Sequence, residues 1–459
     1  MSDSSQLNNL KQNFRTMFFQ QEIETLQIPK LRKLQNERLQ ELVKYVYHRV
    51  PFYKRKFDEA NIHPSSIKSV EDLHRLPFTK KDDLRDQYPF GMFAVSMNEV
   101  ARIHCSSGTT GKPTVVGYTK NDIEIFAEVC ARSLAGAGAQ PGMKLQNAYG
   151  YGLFTGGLGL HYGGEKLGMA VIPVSGGMTD RQILLLRDFQ PEVMCCTPSY
   201  ALTLAEEINK RGIDVRELNL KFMELGAEPW TDTIREEVQQ GLNVVATNIY
   251  GLSEIMGPGV SQEDYEERGT GSHVWEDHFY PEVVHPETGE PMPEGEYGVL
   301  CFTTLTKEAM PLIRYWTNDI TNLQYDKNSK RTHIKMGAIR GRADDMLIIR
   351  GVNLFPSQIE AVLNDLPEFS PHYQLVVSRD GTMDEVDVHV EFDEKIYKEL
   401  KIEIAEENDS DFIKSLHQKL SHKIKANIGL SMNITIKNYG TVPRSEGGKL
   451  SRVVDKRRT

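Results

Sequence analysis

Short apolar runs alternate with segments of helical periodicity between Val115 and Gly251. The runs include "KLQNAY", "MAVIPVS", "EVMCCTP", "KFMELGA" and "NVVATNIYG", and segments such as "TDRQILLLRDF" and "SYALTLAEEINKRG" separate most of them. Strands that alternate with helices form a parallel, doubly wound sheet with helices on both faces. The sequence therefore predicts an α/β fold, with "GAEPW" and "YGLSE" at the carboxyl ends of strands, where such sheets bind ligands.

The regions on either side of this alternation have other patterns. Residues 1–60 have the periodicity of amphipathic helices, which predicts a helical arm packed on a larger body. Asn121 follows the predicted strand "VVGY" and is a candidate N-cap of the next helix. After Phe279, the turn-rich stretch "HPETGEPMPEGEYGVLCFTTL" predicts a smaller β subdomain. From Gly341 onward, strands and helices predict a compact α+β unit.

Bulk composition limits the class of protein. A chain of 459 residues is too long for one hydrophobic core, so at least two domains are expected. The formal net charge of −10 argues against a nucleic-acid-coating surface. The five cysteines are odd in number and lack C-x-x-C spacing, which disfavours a disulfide framework and suits a reducing compartment. With neither a signal peptide nor an apolar run long enough for a membrane helix, the sequence predicts a cytoplasmic protein without membrane or nucleic-acid partners.

The stretch "SSGTTGKP" concentrates hydroxyls, glycines and a lysine in one turn. Glycines let a backbone approach a phosphate closely, turn amides bind anions, and a lysine adds positive charge. The common NTPase loop is G-x-x-x-x-G-K-[ST], whereas here Pro113 stands where the magnesium-binding hydroxyl would be. A kinase-type or GTPase-type loop is therefore excluded. The candidate phosphate-binding residues are Ser106, Ser107, Gly108, Thr109, Thr110, Gly111 and Lys112.

Five stretches follow one another in a recognisable order along the chain. They are "SSGTTGKP", "YGLSE" (residues 250–254), "YWTNDI" with Asp319, "GRADDMLIIRG" (residues 341–351) and "PRSEGGKL" with Lys449. Together they resemble the motifs of the adenylate-forming superfamily of acyl-CoA synthetases, adenylation domains and luciferases. Further stretches, including "RVPFYKRKFDEA", "GAEPWT", "WEDHFYPE" and "LTKEAMPLIRY", are similar to phenylacetate–CoA ligases, and this narrower resemblance covers nearly the whole chain.

The resemblance implies an ATP-dependent ligase. Such an enzyme converts phenylacetate, or a close aryl acid, to its CoA thioester through an acyl-adenylate, and it releases pyrophosphate and AMP. ATP, Mg²⁺ and coenzyme A would be its cofactors. The implied domains are an ATP- and acyl-binding N-terminal domain (1–343, with the helical arm at 1–60) and a small, mobile α+β C-terminal domain (344–459). Asp344 would be the hinge between them.

The same resemblance implies roles for single residues. Lys449 would bridge the α-phosphate and the acyl carboxylate, Ser253 would contact the α-phosphate, and Glu254 would ligate Mg²⁺. Residues 106–112 would hold the β- and γ-phosphates. Tyr250 would offer a flat face for adenine, and Asp319 would accept the ribose hydroxyls. The full set of implied nucleotide and CoA contacts outside that loop is Gly226, Ala227, Glu228, Pro229, Ile249, Tyr250, Gly251, Leu252, Asp319, Ile339, Arg342, Arg350 and Gly351.

The acyl pocket is expected near "YGYGLFTGGLG". Aromatic side chains beside glycines suit a flat slot for a ring, although core packing would produce the same pattern. The candidate lining residues are Tyr149, Tyr151, Phe154 and Gly156.

Several alternatives stay open at this point. The acid could be indoleacetate or a benzoate, and the acceptor could differ from CoA. A non-catalytic nucleotide-binding homologue is disfavoured because Lys449, Glu254 and Asp319 occur together. The stretch "HVWEDHF" with Cys301 could supply zinc ligands, but the cysteine spacing of such sites is missing, so a polar loop is predicted. A homodimer is implied only by resemblance to relatives.

Overall fold

The structure is a computed structural model. It describes residues 18–106, 113–343, 347–349, 352–354, 356–380, 383–400, 411–444 and 452–458. The described residues form two compact units. The first unit comprises those within 18–227 and 238–339, and the second comprises residues 228–237 and those from 340 onward.

Helices and strands of the described chain are numbered here in chain order. The α-helices are α1 (Gln21–Glu24), α2 (Ile28–Arg49), α3 (Pro51–Glu59), α4 (Lys81–Asp86), α5 (Lys120–Gly136), α6 (Gly156–Leu167), α7 (Thr179–Asp188), α8 (Pro198–Lys210), α9 (Asp232–Leu242), α10 (Pro356–Asn364), α11 (Glu394–Leu400) and α12 (Asp411–Ile428). The strands are β1 (Arg102–Ser106), β2 (Thr114–Tyr118), β3 (Lys144–Asn147), β4 (Ala170–Pro173), β5 (Val193–Cys196), β6 (Phe222–Gly226), β7 (Val245–Leu252), β8 (Gly257–Glu263), β9 (Ser272–Val274), β10 (Phe279–Val284), β11 (Gly298–Thr304), β12 (Tyr315–Thr321), β13 (Leu323–Gln324), β14 (Lys335–Met336), β15 (Gly341–Arg342), β16 (Leu347–Ile349), β17 (Val352–Leu354), β18 (Phe369–Asp380), β19 (Met383–Phe392), β20 (Asn433–Lys437) and β21 (Val453–Asp455).

The largest sheet confirms the predicted doubly wound α/β fold. Its parallel strands lie in the order β4–β3–β5–β6–β7, so the chain adds strands first on one side of β3 and then on the other. The sheet then continues through the antiparallel strands β8, β9, β14 and β13, which the sequence pattern did not show. Strand β8 reads "GPGVSQE", and its glycines and proline conceal a strand from any pattern of apolar residues.

The predicted β subdomain is confirmed by a second sheet, in which β10, β11 and β12 pair antiparallel. Helices α2 and α3 pack into the core of the same unit, where Leu39 and Val43 are fully buried. The Tyr53 hydroxyl shares a hydrogen bond with Thr79 Oγ1 (3.0 Å) and accepts one from the Ile313 amide (3.0 Å). The helical arm is therefore an integral layer of the first unit.

Helix α5 begins two residues earlier than predicted. Its N-cap is Thr119, whose Oγ1 accepts a hydrogen bond from the Asp122 amide (3.0 Å), while Asp122 Oδ2 accepts one from the Thr119 amide (2.9 Å). The prediction of Asn121 as N-cap is wrong because this reciprocal capping box satisfies the first turn of the helix. Asn121 lies inside the first turn and donates to Glu308 Oε1 (2.9 Å).

The second unit has the predicted α+β composition. Its sheet has the order β20–β19–β18–β21, with β18 and β19 antiparallel and each outer strand parallel to its neighbour. Leu375 and Val388 of the sheet are fully buried in one core with Ile359 of α10 and Leu420 of α12. The stretch "RVVDKRRT", interpreted from sequence only as a basic tail, supplies β21.

No helix among the residues that the structure describes has the length and apolar character needed to cross a bilayer.

Candidate active site

Two predicted nucleotide contacts meet although 69 residues separate them. The Tyr250 hydroxyl donates a hydrogen bond to Asp319 Oδ2 at 2.5 Å. The Tyr250 ring is half-buried and lies 6.2 Å from the ring of Phe302, whereas Asp319 is buried and its amide donates to Thr317 Oγ1. The structure therefore brings together the two side chains for which the motifs imply adenine and ribose contacts, and those roles stay predictions.

The backbone around Tyr250 is tightly packed. A Cβ atom added to Gly251 would lie 1.7 Å from the carbonyl oxygen of Gly257, because β7 turns directly into β8 at this point. Only glycine fits such an approach. One strand away, β6 ends at Gly226, and Ala227 follows with φ of +73°, a left-handed conformation that is strained for alanine. The implied contacts Glu228 and Pro229 come next along the chain, and Ile249 and Leu252 lie within β7.

Ser253 and Glu254 lie in the turn between β7 and β8, and both are nearly buried, with exposed fractions of 8% and 7%. The Ser253 hydroxyl is 3.1 Å from the hydroxyl of Thr155, in a shared hydrogen bond. Thr155 is the N-cap of α6 and belongs to the stretch "YGYGLFTGGLG". This hydrogen bond joins the predicted α-phosphate contact to the predicted acyl pocket.

The four candidate pocket residues fall into different environments. Tyr149 is buried, and its hydroxyl donates to the Cys196 carbonyl at 2.6 Å. The Tyr151 hydroxyl accepts from Asn147 Nδ2 (2.9 Å), and burial raises the pKa of Tyr151. Phe154 is exposed, and a Cβ atom on Gly156 would lie 2.4 Å from its ring. Tyr151 and Phe154 therefore remain the better candidates for a pocket wall, and Tyr149 has a packing role.

His104 was passed over in the sequence, although it stands two residues before the predicted phosphate loop. Its Nδ1 is 3.0 Å from the carbonyl of Leu153, so Nδ1 carries the proton and donates it to that oxygen. Its Nε2 is buried without a partner among the described residues, and burial lowers the pKa of His104. The Cys105 amide donates to the same carbonyl at 3.0 Å. Strand β1 is thereby attached to the predicted acyl segment.

Lys307 is the second residue that sequence reasoning missed. It is 2% exposed, and its amine donates to the backbone carbonyls of Glu254 (3.2 Å) and Ile255 (3.0 Å). Burial lowers the pKa of Lys307 to about 8. Its segment, "LTKEAMPLIRY", is similar to phenylacetate–CoA ligases, but a charged residue beside Glu308 gives no signal of burial.

The stretch "HVWEDHF" runs from β9 into β10 through a turn at residues 275–278 that carries polar side chains, as predicted, but the whole stretch is buried. Glu128, Asp277 and His278 have ligand atoms within 4.8 Å of one another, as a metal site would. However, Arg132 donates to both oxygens of Asp277 (2.8 and 3.0 Å) and to Glu128 (2.6 Å). A guanidinium already neutralises these carboxylates, and its charge would repel a metal ion. The cluster is therefore a buried ion-pair network, and Cys301 is not part of it.

In the second unit, Glu391 organises the loop that precedes Lys449 in the sequence. Its Oε1 accepts from Ser370 Oγ (3.0 Å) and Arg444 Nη2 (2.5 Å). Its Oε2 accepts from the amides of Gly440 (3.1 Å) and Val442 (3.0 Å). Glu391 is fully buried in β19, so this loop is fixed to the sheet up to Arg444.

Several predicted site residues lie outside the described part of the chain, and their roles stay predictions. Ser106 is described only as the last residue of β1, opposite Thr114 of β2. Ile339 is half-buried against the core of the first unit, and Arg342 belongs to the second unit. The predicted site residues that lie outside the described ranges are Ser107, Gly108, Thr109, Thr110, Gly111, Lys112, Asp344, Arg350, Gly351 and Lys449.

Comparison with known families finds matches over most of the chain. The sequence profile of the AMP-binding enzyme family matches residues 14–306, and that of the AMP-binding enzyme C-terminal domain matches residues 351–457. A phenylacetate-coenzyme A ligase of Thermus thermophilus is 62% identical over 446 residues, which cover 96% of this chain and 100% of that protein. A phenylacetate-coenzyme A ligase of Escherichia coli is 51% identical, covering 95% of this chain and 97% of its own.

Comparison with solved structures also finds a CoA ligase. A 2-hydroxyisobutyryl-CoA ligase in the postadenylation state, in complex with 2-HIB-AMP, is 28% identical with a TM-score of 0.87. The match covers 97% of this chain and 94% of that one. The same ligase has also been solved with 2-HIB-AMP and CoA in the thioesterification state. The chain therefore belongs to the AMP-binding enzyme family, and within that family to the phenylacetate–coenzyme A ligases, as its motifs indicated.

Proposed function

We propose that this enzyme joins phenylacetate to coenzyme A through an acyl-adenylate. In the first half-reaction the carboxylate attacks the α-phosphorus of ATP and pyrophosphate leaves. In the second, the CoA thiol attacks the acyl carbonyl and AMP leaves. Relatives that bear the name phenylacetate-coenzyme A ligase are 49–62% identical to this chain, which supports phenylacetate as the acid.

The hydrogen bond between Thr155 and Ser253 is the observation that carries this proposal. It joins the end of the acyl segment to the residue expected at the α-phosphate. The first half-reaction needs its carboxylate and its phosphorus atom held in line at contact distance, which intramolecular positioning supplies. A direct hydroxyl–hydroxyl contact between the two segments suits that need. Phe154, exposed just ahead of Thr155, is then available to face the aromatic ring of the acid.

The described residues also suit ATP and Mg²⁺. The hydrogen bond from Tyr250 orients the Asp319 carboxylate, whose oxygens are the kind of acceptor that ribose hydroxyls need. Glu254 offers a carboxylate, the ligand type that Mg²⁺ prefers, beside Ser253. Bound Mg²⁺ would neutralise charge on the phosphate oxygens. Residues 106–112 would hold the leaving pyrophosphate, and Lys449 would place positive charge at the α-phosphate.

Other parts of the proposal depend on resemblance alone. They are a C-terminal domain that rotates about Asp344 between the half-reactions, contact of Arg350 with CoA, and a homodimer. A cytoplasmic location is predicted from the cysteine content instead. Each of these stays a prediction.

A pyrophosphate-release assay over a panel of acids tests the substrate. We expect release with phenylacetate, and formation of the thioester and AMP only when CoA is present. If pyrophosphate release is faster with indoleacetate or a benzoate, that acid is the substrate in place of phenylacetate. Thioester formation with fatty acids and with no aryl acid would refute the proposal, as would ATP binding without any turnover.

Replacing Lys449 by alanine tests the catalytic assignment. We expect the rate of acyl-adenylate formation to fall by roughly 10²–10³, because one preorganised charge at the reacting phosphate is lost. Lys425→Ala, an exposed change on α12, is the matched control and should keep the wild-type rate. Equal rates for the two variants would remove Lys449 from the mechanism.

A further inference from the structure

The turn that follows Ser253 is held through its backbone. The carbonyl oxygens of residues 254, 255 and 256 all accept hydrogen bonds from buried side chains. Lys307 Nζ donates to the first two at 3.2 and 3.0 Å, and the Tyr118 hydroxyl donates to the third, on Met256, at 2.7 Å. Side chains from two distant parts of the sequence therefore fix three consecutive peptide groups beside Glu254.

The environment of Lys307 is costly for a cation. Within the described chain, no carboxylate is close enough to form an ion pair with its amine, which lies 4.7 Å from the centre of the Tyr118 ring. Asp122, Glu254 and His104 exert weaker, longer-range effects. A buried cation without a paired anion destabilises a fold, so a methionine of similar length would serve packing better. The amine must therefore do something that packing does not require.

The segment that carries Lys307 is itself immobilised. The amides of Glu308 and Ala309 donate to Asp122 Oδ1 (2.7 Å) and Oδ2 (2.9 Å). Thr119 Oγ1 donates to Glu308 Oε2 at 2.6 Å. The start of helix α5 thus fixes the backbone of Lys307, and Lys307 in turn fixes the turn after Ser253.

We propose that Lys307 is a positioning residue, whose amine holds the backbone of Glu254 so that the Ser253 hydroxyl and the Glu254 carboxylate are aligned for Mg²⁺·ATP. This inference deepens the proposed function and rests on it for the roles of Ser253 and Glu254. Without the amine, two buried carbonyls lose their donors. The turn then relaxes, and Glu254 shifts although its own side chain is unchanged.

Lys307→Met tests the proposal, because methionine keeps the apolar stem and removes the charge and the donors. Three quantities are measured: the dissociation constant of Mg²⁺·ATP by calorimetry, the single-turnover rate of adenylate formation, and the Mg²⁺ concentration at half-maximal rate. We expect the dissociation constant to rise roughly tenfold, the rate to fall roughly ten- to a hundredfold, and the Mg²⁺ requirement to rise. At saturating Mg²⁺·ATP, the amplitude of the single turnover gives the active fraction, so that rates are compared per active enzyme.

Lys335→Met is the matched control. Lys335 also has little exposed surface and lies in the same unit, but its amine pairs with Glu267 (2.7 Å) and Asp326 (2.9 Å). Its loss should lower the thermal midpoint while leaving the three measured quantities at their wild-type values. If Lys335→Met changes them as much as Lys307→Met does, the effect is general destabilisation and the proposal fails.

Two further variants keep the test decisive if Lys307→Met does not fold. Lys307→Arg retains a cationic donor and should recover part of the Mg²⁺·ATP affinity and rate. Tyr118→Phe removes only the hydrogen bond to Met256 and should shift the same quantities by a few-fold. Wild-type values in Tyr118→Phe together with full loss in Lys307→Arg would overturn the proposal. If the wild-type enzyme adenylates no acid, the proposed function fails, whereas the calorimetric comparison still decides the role of Lys307.

Discussion

Two glutamates, one in each unit, are fully buried in the middle of a sheet, and their surroundings differ sharply. Glu391 in β19 accepts hydrogen bonds from a hydroxyl, a guanidinium and two backbone amides. Glu224 in β6 accepts only from the Cys195 thiol, at 3.4 Å, and its Oε1 has no partner in the described chain. Burial raises the pKa of Glu224 to about 8.

The two glutamates are equally buried, so the difference shows that the hydrogen-bond donors around a buried carboxyl group decide its contribution to stability. Glu391 accepts from four donors, one of which is positively charged, and it therefore holds the loop before Lys449 against the sheet. A single weak donor leaves Glu224 favouring its protonated form at neutral pH. The first glutamate is therefore a structural contact, and the second makes stability depend on pH.

Replacing Glu391 by alanine should have the largest effect. We expect the free energy of unfolding of the second unit to fall by about 3 kcal/mol, because a partly buried guanidinium and two amides lose their acceptor. Urea unfolding checks this. Glu394→Ala is the control, since its exposed pair with Lys398 should contribute less than about 0.5 kcal/mol. Equal losses in the two variants would show that the four donors add nothing.

At pH 6, Glu224→Gln should have the next largest effect, and its effect should grow as the pH rises. The folded protein keeps the Glu224 proton up to about pH 8, whereas the unfolded chain releases it near the ordinary glutamate pKa of 4.5. The contribution of Glu224 to the free energy of unfolding is therefore fully present below pH 4.5. It is lost as the pH rises to 8, at up to about 1.4 kcal/mol per pH unit.

Glutamine cannot ionise, so the variant should be more stable than the wild type at pH 8 by a few kcal/mol and close to it at pH 5. Urea unfolding of both proteins at pH 5, 6, 7 and 8 measures the difference. A difference that stays constant over this range would show that Glu224 does not titrate on unfolding.

Ser370→Ala should have the smallest effect. It removes one neutral donor from Glu391, which keeps Arg444 and the two amides. We expect a loss of about 1 kcal/mol in the free energy of unfolding and no change in the adenylation rate. A loss as large as that of Glu391→Ala would mean that the hydroxyl, and not the charged and backbone donors, dominates.

The same contrast explains how far sequence could predict this molecule. Apolar runs located the parallel strands because burial on both faces leaves a continuous apolar signature. Motif order located Tyr250 and Asp319, and the structure brings them together. Lys307 and Glu391 were not found, because their importance comes from partners far away in the sequence, which residue type and spacing do not encode.

The error at the start of α5 has a local cause. The stretch "TKND" contains several residues that can cap a helix, and only the pairing of Thr119 with Asp122 three residues later distinguishes the true N-cap. That signal was present in the sequence and was overlooked. The antiparallel extension of the main sheet, by contrast, left no signal in the sequence, since β8 carries glycines and a proline in place of an apolar strand pattern.

The double use of Asp122 has a consequence for protein synthesis. Its carboxylate caps helix α5 and also binds the amide of Glu308, 186 residues further along the chain. At ribosomal rates of 5–20 residues per second, that partner is made about 10 to 40 s later. Helix α5 can therefore form early, but Lys307 reaches the turn after Ser253 only when most of the first unit has been translated. The contacts between Lys307 and this turn thus form near the end of that unit's synthesis.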